Sequence, residues 1–101
     1  MNRGELSKAL ASNKSVLQAR GVQHLALFGS HARGDAVAES DLDVLIDIDP
    51  ALPKFSLVDL AGVANLLADI TGIETNAIER RMIAKDRRFA ERIAGDIVEI
   101  F

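Results

Sequence analysis

Apolar residues recur along this chain in two periods, a helical one near the N terminus and in the middle, and a two-residue alternation between them. From about Arg3 to Arg20, Leu6, Ala9, Leu10, Val16 and Leu17 recur on a three-and-four spacing, which predicts an amphipathic helix stopped by Gly21. Val22 to Phe28 is a short apolar run between Gly21 and Gly29, and it predicts a buried strand. Leu42, Val44, Ile46 and Ile48 then alternate with Asp43, Leu45 and Asp47, which predicts a strand with one apolar face and one face carrying acids. Asp49-Pro50 and Pro53 break the chain. Ser56 with Asp59 reads as a capping box opening a second long helix to about Ile70, with Leu57, Leu60, Ala61, Ala64, Leu67 and Ala68 along one face and Gly72 as its stop. Ile73 to Ile78 reads as a third strand, with Glu74, Asn76 and Ile78 on one face. Asp86 caps a helix through Ala94 that Gly95 ends, and Ile97, Val98, Ile100 and Phe101 make a terminal strand. The order gives an α/β (α+β) fold: a small mixed sheet of about four strands, helices packed mainly on one face, and one domain spanning residues 1–101.

Composition narrows the function. An apolar share of 49% and a charged share of 27% belong to an ordinary globular chain and exclude a disordered one. The net charge of −3 argues against a general nucleic-acid binder, and four Phe with no Trp or Tyr leave little for stacking single-stranded bases. There are no cysteines, so thiolate metal sites and disulfides are excluded. The first residues lack the apolar core of a signal peptide and no apolar run is long enough to span a membrane, so a cytoplasmic protein without membrane attachment is expected.

The chemistry concentrates between Phe28 and Asp47. Asp41 and Asp43, two apart at the start of a strand, point to one face about 7 Å apart along the chain, and their carboxylates can converge on shared cations. Magnesium prefers such oxygens together with substrate phosphates. Gly29 and Ser30 end the first strand. Either their backbone N–H groups cradle an anion at a helix N-terminus, or they form an ordinary strand-to-helix turn with Ser30 as N-cap. Arg80, Arg81, Lys85, Arg87, Arg88 and Arg92 crowd one later segment and read as a solvated helix face, with phosphate or an acidic partner as the alternative. His24, alone on a strand face, reads as structural.

Taken together, Gly29-Ser30, Arg33-Gly34-Asp35-Ala36 and Ser40-Asp41-Leu42-Asp43 with Leu45-Ile46 behind closely resemble the signature of the nucleotidyltransferase superfamily that includes DNA polymerase beta. The short length and wording resemble the minimal nucleotidyltransferases (MNT), often paired as antitoxins with HEPN-family toxins. The resemblance implies that Gly29 and Ser30, with Ser40, hold a nucleotide triphosphate; Arg33 matches the signature's arginine and either joins them on phosphate or pairs with a local carboxylate. It implies that Asp41 and Asp43 coordinate Mg²⁺, two ions in such sites, with ATP as substrate. It also implies transfer of AMP to a hydroxyl on a partner protein, a HEPN toxin.

The family's catalytic members carry a third carboxylate on the following strand, and here Asn76 stands at that place. Glu74, two residues earlier on the same face, is the candidate substitute. The alternative function is an antitoxin with a weakened site that acts as a protein-binding module. A homo- or hetero-oligomer is compatible with either.

Overall fold

The computed structural model describes residues 2–52 and 54–101; Pro53, one of the two predicted chain breaks, lies outside the described residues. The N-terminal helix is divided into α1 (Arg3–Ser12) and α2 (Lys14–Ala19), a correction to the single helix that periodicity predicts. The break is at Asn13, whose side-chain amide donates to the Ala9 carbonyl at 2.7 Å, the local competition by which Asn disrupts helical hydrogen bonding. Leu6, Leu10 and Leu17 are fully buried, whereas Val16 is 49% exposed and leaves the predicted face.

Four strands follow in the spatial order β3-β2-β1-β4. β1 (Val22–Phe28) lies antiparallel to β2 (Leu42–Ile48), both with the predicted bounds, and Phe28 pairs with Asp43. β2 runs parallel to β3 (Thr75–Glu79), with Asp43 opposite Asn76. β4 is only Val98–Glu99, shorter than the terminal strand predicted, although the chain beyond it still bonds Leu25 through Ile100 and Phe101.

Helices cover the sheet unequally. On one face Leu25, Leu27, Leu42, Val44 and Ile46 pack with residues of α1, α2 and the long helix α4 (Leu57–Thr71). The capping box of α4 forms as predicted: Asp59 N–H donates to the Ser56 hydroxyl at 3.2 Å and Ser56 N–H to the Asp59 carboxylate at 2.8 Å. Its buried stripe follows Leu60, Val63, Leu67 and Thr71, so the first turn stays outside the core and Leu57 is 83% exposed.

The opposite face carries a smaller apolar cluster of Ala26, Phe28 and Leu45 beneath Ile93. That cover comes from α5 (Arg80–Ile83), a turn of helix that periodicity does not reveal, and α6 (Arg87–Ile93), capped by Asp86 through Phe89 N–H at 3.1 Å. Leu45 is buried there, which makes the predicted acid-bearing face of β2 apolar at its centre and acidic only toward its ends. No helix among the described residues is long and apolar enough to cross a membrane.

Candidate functional site

The site forms where β1 ends beside the start of β2. Phe28 is extended, and the chain then turns at Gly29, whose φ of +73° lies in the left-handed region open mainly to glycine. A short helix, α3 (Gly29–Arg33), starts at once and ends at Gly34. Phe28 occupies its N-cap, so Ser30 is not the N-cap that the turn reading predicts. The Ser30 hydroxyl has no protein hydrogen-bond partner among the described residues and lines the cleft beside Gly29. Glycine at position 29 is also required by space: a Cβ there would collide with the Asp43 carboxylate and stand 3.3 Å from its Cγ.

Asp41 lies one residue before β2 and Asp43 within it. Their carboxylates meet at Asn76: the Asn76 side-chain nitrogen stands 3.3 Å from Asp41 Oδ2 and 3.3 Å from Asp43 Oδ1. The parallel register of β2 and β3 makes this meeting possible, because it sets Asn76 opposite Asp43. Two carboxylate oxygens facing one point suit a hard divalent cation, and the Asn76 amide can offer its oxygen to the same ion after a flip. The donor set therefore fits magnesium as two carboxylates and one amide. Among the described residues no third acidic or histidine side chain joins the pair. Glu74 is exposed, just ahead of β3, and meets β2 through its backbone carbonyl, which accepts from Leu42 N–H at 2.8 Å.

Arg33 and Ser40 are occupied differently. Arg33 Nε donates to Asp35 at 3.0 Å and Arg33 Nη1 to Asp96 at 3.1 Å. Donating to Asp35 first, and then to Asp96, holds the guanidinium above its already high ordinary value, so it stays charged at any working pH. Ser40 organises the loop: its hydroxyl accepts from Val37 N–H at 3.0 Å, and its carbonyl meets His31 Nε2 at 3.2 Å. It lines a separate cavity of about 290 Å³ with His31 and Ile73, rather than the cleft that holds Asp43.

That cleft has a volume of about 520 Å³, within the range of small-ligand sites. It is lined by Gly29, Ser30 and Arg33 of α3, Asp43 of β2, Asn76 of β3, Phe89 and Arg92 of α6, and Asp96. Composition does not single out Phe89, Arg92 and Asp96, although the arginine-rich segment marks the neighbourhood. α6 brings Phe89 and Arg92 to the site, with Asp96 just beyond its end, through a T-shaped contact of Phe89 with Phe28 whose ring centroids are 5.9 Å apart.

Comparison with known proteins agrees with this geometry. A nucleotidyltransferase domain family matches residues 5–99. A candidate protein adenylyltransferase of Methanocaldococcus jannaschii is 32% identical over 80 residues, covering 78% of this chain and 79% of its own. Protein adenylyltransferase MntA of Thermococcus cleftensis is 41% identical over 54 residues, covering 50% of this chain and 54% of its own. A solved structure of a candidate minimal nucleotidyltransferase superposes with a TM-score of 0.74 at 26% identity over 97% of this chain and 95% of its own. A chain from a toxin-antitoxin complex with AMP-PNP gives 0.67 at 17% identity over all of this chain and 73% of its own. One from a complex of tri-AMPylated Shewanella oneidensis HEPN toxin with its MNT antitoxin gives 0.60 at 14% identity over 91% of this chain and 70% of its own. The last two likenesses are of fold alone.

Proposed function

The chain belongs to the nucleotidyltransferase domain family, and on that premise we propose that it is a Mg²⁺-dependent protein adenylyltransferase acting on a HEPN-family toxin partner. The observation that carries the reading is the meeting of three elements at one point: the Gly29 turn lies against Asp43, and Asn76 gathers Asp43 with Asp41. The protein and nucleotide substrates are inferred from relatives named for protein adenylylation and from neighbours described with AMP-PNP or an AMPylated HEPN toxin.

In this reading an acceptor hydroxyl oxygen attacks the α-phosphorus of ATP, the bond to the bridging oxygen breaks, and pyrophosphate leaves. Asp41 and Asp43 would hold magnesium, with Asn76 as an oxygen donor; the ion supplies charge neutralisation of the phosphates. The Gly29 turn brings backbone close to the phosphates, and Ser30 presents a free hydroxyl beside them. Asn76 cannot accept the hydroxyl proton, so that proton leaves to solvent or to a group on the partner.

The same residue favours a second reading. An amide where a carboxylate would serve as base removes a contribution of about 10²–10⁴-fold in rate. A chain so weakened could neutralise its partner by binding alone. Incubation with labelled ATP, Mg²⁺ and the protein encoded beside this chain separates the two. One AMP of added mass on the partner, lost in Asp41→Ala and Asp43→Ala, is the expected result. Neutralisation without added mass that survives both substitutions would leave the binding module.

A further inference from the structure

The cleft contains two guanidinium groups, and they are in opposite condition. Arg33 is tied to Asp35 and Asp96. Arg92 makes no ion pair and no hydrogen bond to protein among the described residues, and its guanidinium carbon lies 5.2 Å from the centre of the Phe89 ring. A cation stacked on an aromatic face loses little of its hydrogen-bonding edge, so the N–H donors of Arg92 remain available in the cleft. The Phe28–Phe89 contact fixes the platform beneath it.

Charge shows why this matters. The acids near the cleft are Asp35, Asp41, Asp43 and Asp96, against Arg33 and Arg92, so the surroundings are negative before any nucleotide arrives. A triphosphate brings several further negative charges. Arg33 is already matched by two carboxylates. Among the residues lining the cleft, the cation with uncommitted donors is Arg92.

We propose that Arg92, held on the Phe89 ring, is a nucleotide-binding residue that clamps the polyphosphate chain from the α6 side of the cleft it shares with Gly29 and Ser30. This deepens the nucleotidyltransferase reading and rests on it. Phe89 is then a positioning residue, acting through Arg92.

The test is calorimetric titration of the whole chain with three probes: a non-hydrolysable ATP analogue with Mg²⁺, inorganic triphosphate with Mg²⁺, and adenosine. Charge-assisted hydrogen bonds of this kind give about a tenfold or larger effect. Arg92→Ala is expected to weaken the ATP analogue and inorganic triphosphate by that factor and leave adenosine unchanged, with Arg92→Lys recovering part of the loss. Arg87→Ala, on the same short helix but outside the cleft, is expected to match the wild type for all three probes. Wild-type affinity for both triphosphates in Arg92→Ala would overturn the clamp and leave the nucleotidyltransferase reading standing. Equal weakening of adenosine and the ATP analogue would overturn it in favour of a base platform. Failure of the wild type to bind either triphosphate would overturn both.

Discussion

Gly29 and Asp43 share a space that any side chain at position 29 would fill. A Cβ on Gly29 would collide with Asp43 Oδ2, and the φ of +73° is a conformation that other residues adopt only at a cost. The turn proposed to approach the phosphates and the acid proposed to hold the metal are therefore built against each other. Gly29→Ala is expected to destabilise the fold by about 1–2 kcal/mol, the usual cost of a left-handed non-glycine residue. It should also abolish Mg²⁺-dependent nucleotide binding, because Asp43 must move. Denaturant melts and calorimetry on the same sample check both.

Asn76 sits between two carboxylates. Asn76→Asp replaces a donor with a third like charge, so the variant is expected to melt lower than the wild type without divalent cation and to recover when Mg²⁺ is added. If the missing base limits turnover, the same change raises AMP transfer by about 10²-fold or more. A Mg²⁺ series of thermal melts with a parallel transfer assay measures both effects.

The Asp96 carboxylate holds one arm of Arg33 at the cleft lining. Exposed pairs of this kind contribute little to stability, so Asp96→Ala should leave the melting temperature nearly unchanged. Freed from that partner and relieved of one negative charge, the cleft should bind the Mg²⁺ complex of an ATP analogue about threefold more tightly. Unchanged affinity would mean that Arg33 does not reach the nucleotide.

Much of this was legible in the sequence because it is local. The bounds of β1 and β2 follow from apolar runs between glycines and from strict alternation, and the α4 capping box from Ser56 and Asp59. The break at Asn13, the rotated stripe of α4 and the burial of Leu45 depend on packing partners that periodicity does not contain. The arginine segment is the instructive mixture. Arg87, Arg88 and Arg92 are exposed as expected, but Arg80 bonds both Glu99 oxygens, at 2.8 and 3.2 Å, and Arg92 also lines the cleft. Nothing in a run of like residues says which of them the fold will set beside the site.

The α4 cap has a pH signature. Hydrogen bonds from the Ser56 backbone and hydroxyl hold the Asp59 carboxyl below its ordinary value. Because the folded value is the lower one, the stabilisation is complete above the unfolded value of 3.8 and is lost as the pH falls through the folded value. Asp59→Asn should flatten that part of the acid limb in melts run from about pH 7 to about pH 2, with the remaining carboxylates supplying the rest.

The most direct test of the central claim is titration of an ATP analogue into the wild type and the Asp41→Asn, Asp43→Asn double variant, with and without Mg²⁺. If one metal and nucleotide site is formed by the Gly29 turn and the paired acids, the wild type binds only with Mg²⁺ and the double variant loses that binding while keeping its fold. Equal affinity in both proteins, or wild-type binding indifferent to Mg²⁺, would contradict it.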